Sequence, residues 1–177
     1  RAPGVGLRLD ANGAWDAQTA ERVIMDLEGL PVESLEEPLA HPDPTELVRL
    51  QALSPFPLAL DESLPGLLQG LDADAYPVRR AVVKPAVIGG VGRTLGLAEH
   101  LRRLGVEVLL TGVVDSAAGL WATAQVAAAV GSTLAQGLAT WDWLAEDLGV
   151  PPIPRNGRLD LPEQPGSGFD PAGGLGG

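Results

Sequence analysis

Residues 7–12, Leu-Arg-Leu-Asp-Ala-Asn, decide the fold, because they join a short apolar strand pattern to a turn that opens on a carboxylate. The same arrangement returns three times along the chain. The charged residues stand 26, 25 and 23 residues apart (at positions 10, 36, 61 and 84), and one βα unit of a barrel takes about 30 residues. The spacing predicts one charged residue at the carboxyl end of each of four successive strands. After Asp10, the motifs are Leu35-Glu36-Glu37-Pro38, Leu60-Asp61-Glu62-Ser63 and Val83-Lys84-Pro85.

Helical patterns separate these strand patterns along most of the chain. Such alternation predicts an α/β fold, with a parallel sheet and helices outside it. The alternation stops after residue 150, where Pro and Gly dominate, so we expect one domain at 1–150 and an irregular tail at 151–177. The predicted strands are 5–9, 33–35, 57–60, 80–83, 107–110 and 132–136, and the predicted helices are 16–27, 45–53, 66–71, 92–104, 116–130 and 142–148.

Composition limits the classes of function. The 177 residues are 45% hydrophobic, which is typical of a globular domain with a core. A net charge of −11 argues against a nucleic-acid partner, because phosphate would be repelled. There is no cysteine and there are only two histidines, so we expect any metal to be held by oxygen. No apolar run reaches the ~18 residues that span a bilayer, and the first residues do not read as a signal peptide. We therefore expect a cytoplasmic protein without a membrane partner.

The acidic strand ends predict a metal site. In a (β/α) barrel the carboxyl ends of the strands converge on one face, which would bring Asp10, Glu36 and Asp61 together. Three converging carboxylates raise one another's pKa, and a divalent cation relieves that repulsion. Oxygen ligands favour Mg²⁺, with Mn²⁺ as the alternative. Each residue alone has a simpler interpretation, as a helix cap, a rim charge or, for Lys84, a solvated strand-end lysine. Their joint spacing favours the site.

The four motifs resemble the muconate-lactonizing branch of the enolase superfamily, and within it they are most similar to the o-succinylbenzoate synthase family, over about residues 5–150. The resemblance implies a partial (β/α)7β barrel that holds barrel strands three to eight, without the capping domain. It implies Mg²⁺ bound by Asp10, Glu36 and Asp61, and Lys84 as the catalytic residue that faces the substrate. It also implies that Asn12 and Glu62 support the metal site. The turns at Val113 and Gly137 would bind a substrate carboxylate, although ordinary turn chemistry explains them equally well.

The family's reaction is a dehydration in menaquinone biosynthesis. A base removes the proton α to the carboxylate of a small-molecule substrate, Mg²⁺ stabilises the enediolate, and hydroxide leaves. The family's base is a lysine of a K-x-K motif on the second barrel strand, and residues 1–9 contain no lysine. We therefore expect this lyase portion to be inactive alone, and to associate through the incomplete barrel or with the missing amino-terminal part. An N-acylamino acid racemase, a dipeptide epimerase and a non-catalytic barrel fragment remain alternatives.

Overall fold

A computed structural model describes residues 4–70 and 75–171. The chain divides into two compact units, one of residues 1–82 with 101–107 and one of residues 83–100 with 108–177. Among the described residues, no helix is long and apolar enough to cross a membrane. The elements are β1 (Leu7–Asp10), α1 (Ala17–Asp26), β2 (Val32–Glu36), α2 (Pro44–Leu53), β3 (Leu58–Leu60), α3 (Leu64–Leu67), β4 (Arg80–Val83), α4 (Pro85–Ile88), α5 (Val91–Arg103), β5 (Glu107–Leu110) and α6 (Ala117–Val130).

The sheet confirms the predicted parallel alternation. Its strands stand in sequence order, β1-β2-β3-β4-β5. The pairs β1–β2, β2–β3 and β3–β4 are all parallel, as βα units require. β3 and β4 are buried along their whole length, which explains why β3 is entirely apolar and why only apolar residues follow Arg80 in β4. In the register, Asp10 lies opposite Glu36, and Glu36 lies opposite Ala59.

Aspartate side chains cap the first two helices, close to the predicted helix starts at residues 16 and 45. Asp16 accepts a hydrogen bond from the Thr19 backbone N–H at 2.7 Å and caps α1. Asp43 caps α2 in the same way, and Pro44 fits the first helical turn because its missing N–H has no partner there. Each helix then buries part of its surface, and α1 and α2 contact each other. The fully buried side chains on these helices and on β2 and β3 include Ile24, Leu47, Leu50, Leu35, Leu58 and Leu60.

Three predicted elements differ from the structure. The predicted strand at 132–136 is absent from the described residues, which show a single bridge between Thr111 and Gly137 in its place. The Gln136 side chain accepts the Leu110 N–H at 2.7 Å, a bond that a strand would make with its backbone. The predicted helix at 142–148 is a series of turns and bends, because its Asp147 instead accepts the first N–H of α6 at 2.7 Å. The predicted helix at 66–71 is the shorter α3, and Leu71 lies outside the described residues.

The sequence pattern also missed α4, which follows Lys84 directly. It has only four residues and ends at Gly89, whose φ of 101° is left-handed. So short a helix leaves no periodic signal. The described part of the predicted tail, 151–171, forms no helix and no strand longer than a bridge. The boundary at residue 150 stays a prediction.

Candidate functional site

The first three strands end in the three predicted metal ligands. Asp10 is the last residue of β1, Glu36 is the last residue of β2, and Asp61 directly follows β3. Parallel pairing places all three at one edge of the sheet. Their exposure falls along this order: Asp10 is exposed, Glu36 is half-buried, and Asp61 is only 9% exposed.

The electrostatics of Glu36 show that these acids interact. Burial, followed by the negative charge of Asp61, raises the pKa of the Glu36 carboxyl from 4.5 to about 8. A hydrogen bond between these two carboxyl groups adds to the shift, as do the charges of Asp10 and Glu62. We call Asp10, Glu36, Asp61 and Glu62 the carboxylate cluster. A hydrogen bond between two carboxyl groups requires a proton, so the raised pKa of Glu36 means that protonation relieves part of the repulsion in the cluster.

The cluster has the chemistry of a divalent-cation site, but its donor atoms are not arranged as a ligand shell. Within 4–70 and 75–171, no group of three or more acidic, histidine or cysteine side chains is placed to hold a metal ion. The raised pKa of Glu36 and the lack of a ligand shell are compatible, because the two properties depend on different distances. Like charges influence a pKa over several ångströms, whereas Mg²⁺ needs every donor at about 2.0–2.1 Å from one point. The oxygen donors and their repulsion fit Mg²⁺, and its coordination stays a prediction.

Asn12 and Glu62 both lie beside the ligands they were predicted to support. The Asn12 backbone N–H donates to Asp10 Oδ1 at 2.8 Å, which fixes that carboxylate at the turn. Asn12 has a φ of 48°, a left-handed conformation that asparagine tolerates better than most residues. Glu62 is exposed and contributes to the raised pKa of Glu36. Whether either residue supports a bound metal stays a prediction.

Sequence reasoning missed Glu37, which is only 4% exposed. Its Oε1 accepts hydrogen bonds from the Asp61 N–H at 2.6 Å, the Ser63 N–H at 2.9 Å and the Ser63 hydroxyl at 2.8 Å. Glu37 therefore ties the end of β2 to the turn after β3. Burial and then the charge of Glu37 raise the pKa of Tyr76 far above its usual value. The signal that could have found Glu37 is the doubled glutamate of Leu35-Glu36-Glu37-Pro38.

The remaining predicted residues lie in the second unit. Lys84 is half-buried and immediately precedes α4. Gly137 donates its N–H to the Leu110 carbonyl at 2.8 Å, and a Cβ there would meet Thr111 Oγ1 at 2.5 Å. Packing and turn chemistry therefore account for Gly137. The Val113 carbonyl accepts from Thr140 Oγ1 at 3.0 Å. The substrate-binding roles of Val113 and Gly137 stay predictions.

The sequence matches one protein family and several named relatives. The Enolase C-terminal domain-like family matches residues 1–173. The o-succinylbenzoate synthase of Thermobifida fusca is 36% identical over 168 residues, which covers 89% of this chain and 51% of that protein. The enzyme of the same name from Mycobacterium ulcerans is 35% identical over 159 residues, which covers 86% of this chain and 46% of that protein.

Solved structures show the same fold. MenC from Desulfotalea psychrophila has a TM-score of 0.79 at 30% identity, covering 89% of this chain and 45% of that one. Muconate cycloisomerase from Pseudomonas fluorescens has a TM-score of 0.80 at 26% identity, covering 94% of this chain and 47% of that one. The chain thus spans about half the length of the relatives it matches. The predicted superfamily and its partial (β/α) barrel are confirmed, and this chain belongs to the Enolase C-terminal domain-like family.

Proposed function

We propose that this chain is the Mg²⁺-binding barrel portion of an o-succinylbenzoate synthase-like lyase that acts on a small carboxylate substrate. The observation that carries the proposal is the carboxylate cluster, in which Glu36 and Asp61 share a hydrogen bond and Asp10 adds its charge. The relatives named above carry the same activity in their names. We also propose a cytoplasmic location.

Each cluster residue has a defined task in this proposal. Asp10, Glu36 and Asp61 would hold Mg²⁺, which when bound stabilises negative charge that develops on a substrate carboxylate. The Asn12 N–H orients the Asp10 carboxylate. Burial of Asp61 excludes water from one side of the site, and a drier site strengthens each electrostatic contact.

Lys84 would provide the cationic group that faces the substrate. It is the only lysine of the chain, and the other eleven of the twelve basic side chains are arginines. Arginine stays protonated in proteins, whereas lysine can give up a proton. The single lysine at the end of β4 can therefore act as a base, which an arginine cannot do. In a synthase Lys84 would act through its charge, and in a racemase or epimerase it would act as a base.

The test is Mg²⁺-dependent formation of o-succinylbenzoate. The chain alone should form none, because a positioned base contributes about 10²–10⁴-fold and residues 1–9 contain no lysine. Addition of a separately expressed amino-terminal part of an o-succinylbenzoate synthase, which by the family resemblance carries the K-x-K segment, should produce turnover. In that mixture Lys84→Arg should retain part of the synthase activity and Lys84→Met should lose it. Product formation by the chain alone would show that the reaction does not require the lysine of the K-x-K motif.

The same mixture separates the alternative functions. A racemase or epimerase would interconvert the two configurations at the α-carbon of an N-acylamino acid or a dipeptide, and Lys84→Arg would abolish that interconversion. A non-catalytic barrel fragment would show neither activity. Failure to bind Mg²⁺ would reject both enzymatic functions, because both depend on the carboxylate cluster.

We further propose that β1 accepts an additional strand from another polypeptide segment. In the described sheet β1 pairs only with β2, and Leu7 is 41% exposed. An open strand edge is a template for pairing, and a charged side chain blunts it. Leu7→Lys should lower the apparent mass in dilution-series size-exclusion chromatography, whereas Met25→Lys, at an exposed position of α1, should not. A parent chain that is monomeric at every concentration would contradict this proposal.

A further inference from the structure

The carboxylate of Glu37 is buried, yet it lies outside the carboxylate cluster. Only 4% of the residue is exposed. A carboxylate removed from water must recover its lost hydration through hydrogen bonds. Within the described residues, Oε1 accepts its hydrogen bonds from the turn after β3, two from Ser63 and one from the Asp61 N–H. These side-chain hydrogen bonds therefore all link Glu37 to the segment that carries Asp61, one of the predicted metal ligands.

Neighbouring glutamates contact Asp61 at two different points. Glu36 shares a hydrogen bond with the Asp61 carboxyl, and Glu37 accepts the Asp61 backbone N–H at 2.6 Å. In a regular strand two successive side chains would point to opposite faces. Glu37 instead has a left-handed φ of 42°, which takes it out of the strand pattern. The doubled glutamate thus fixes both the main chain and the side chain of Asp61.

The backbone of Glu37 extends this connection to all three strand ends. Its N–H donates to the Ala59 carbonyl of β3 at 3.0 Å, and its carbonyl accepts from the Gly13 N–H, in the turn after β1, at 2.7 Å. One residue therefore contacts the segments that carry Asp10 and Asp61, and it adjoins Glu36 in sequence. A displacement of this residue would therefore alter how the three strand ends lie relative to one another.

We propose that Glu37 is a positioning residue, which fixes Asp61 against Glu36 so that their carboxylates can share one divalent cation. This inference rests on the proposed function. The hydrogen bonds of Glu37 come from backbone amides and a hydroxyl, which a neutral amide oxygen can also accept. Geometry, and not charge, is thus the property that Glu37 supplies.

The experiment measures Mg²⁺ affinity by isothermal titration calorimetry, together with hydrogen exchange at the Asp61 and Ser63 amides. Glu37→Ala should weaken Mg²⁺ binding about 10–100-fold, the loss that is usual for residues that orient metal ligands, and should speed exchange at both amides. Glu37→Gln should restore both quantities to within about threefold of the parent, because its amide oxygen keeps the acceptor. The control Glu28→Ala removes the same charge from an exposed turn and should change neither.

Each outcome decides the proposal. Unchanged affinity and exchange in Glu37→Ala would overturn it, and a Gln variant as weak as the Ala variant would show that charge matters instead. If Glu37→Ala does not fold, Ser63→Ala removes one of the three bonds and should weaken Mg²⁺ binding by a smaller factor; no weakening would count against the proposal. A parent chain that binds no Mg²⁺ overturns the proposed function and the role toward the metal, while the exchange data still decide whether Glu37 fixes the turn.

Discussion

The two ends of the sheet differ in the signs of their charged side chains. At the amino ends, Arg8, Glu33, Arg80 and Glu107 alternate in sign and form a continuous set of ion pairs, which we call the basal ion-pair chain. Arg8 contacts Glu33 at 2.7 Å, and Arg80 contacts Glu33 at 3.4 Å and Glu107 at 2.9 Å. At the carboxyl ends, every member of the carboxylate cluster is acidic.

This difference separates stability from function. The Arg80 side chain is 4% exposed, and both of its acidic partners are present in the chain, so the basal ion-pair chain needs nothing from solution. The carboxylate cluster relieves its repulsion only by taking up a proton or a cation. In (β/α) barrels the amino-end face supports stability and the carboxyl-end face carries the chemistry. Substitutions on the two faces test that division.

Arg80→Met should destabilise the chain most, by about 3 kcal/mol, because it removes the charge-assisted hydrogen bonds that a nearly buried guanidinium donates to Glu33 and Glu107. Urea denaturation measures the change in the free energy of unfolding. Arg49→Met is the matched control, since Arg49 makes its ion pairs at the surface, where such pairs contribute less than about 1 kcal/mol. Equal effects of the two substitutions would contradict the expectation that the buried Arg80 contributes more to stability than the exposed Arg49.

Asp61→Asn should remove the stabilisation by Mg²⁺, which amounts to about 2.7 kcal/mol when Mg²⁺ is at a hundred times its Kd. Without Mg²⁺ the variant should be as stable as the parent or more stable, because one of several repelling carboxylates is gone. Thermal melts with and without Mg²⁺ measure both effects. Asp26→Asn changes an exposed acid on α1 and should leave them unaltered. A variant that Mg²⁺ stabilises as much as the parent would refute Asp61 as a ligand.

Stability without Mg²⁺ should fall as the pH rises from about 4.5 to about 8, the ordinary and folded pKa values of Glu36. In that window the folded chain holds a proton that the unfolded chain has released, so the unfolding free energy decreases with increasing pH. Urea denaturation across this pH range measures the slope. Glu36→Gln cannot ionise and should flatten it. A slope that is the same in both proteins would assign the pH dependence to other groups.

Asn12→Gly should have the smallest effect, within about 0.5 kcal/mol, because glycine adopts the left-handed backbone easily. Asn12→Ala should cost about 1 kcal/mol for the strained φ. Neither change should alter Mg²⁺ affinity, since Asp10 is held by the backbone N–H of Asn12 and not by its side chain. Loss of affinity in Asn12→Gly, measured by calorimetry, would show that the side chain itself serves the metal site.

The sequence predicted the parts of the fold that repeat. Strand ends recur at nearly constant spacing and carry residues of one chemical type, so the placement of Asp10, Glu36 and Asp61 at one edge follows from the sequence alone. The start of α1 near residue 16 was equally predictable, because Asp16 accepts its hydrogen bond from a residue only three positions away. Local chemistry and simple periodicity are enough for such features.

Long-range competition between side chains explains what the sequence did not predict. Gln136 takes the hydrogen bond that would begin a sixth strand, and Asp147 caps α6 where its own helix was expected. Glu37 leaves the strand alternation through its left-handed φ, so no pattern identifies it as buried. Each exception depends on a partner that is remote in the sequence.

Sheet order equal to sequence order has a consequence for synthesis on the ribosome. Each new strand finds its neighbour already made, so the sheet can grow in the direction of translation. The β1–β2 pair can form before Asp61 brings its charge to the edge. The electrostatic repulsion within the carboxylate cluster therefore arises when β3 pairs with β2. Magnesium in the surrounding solution would favour that step while the chain is still being synthesised.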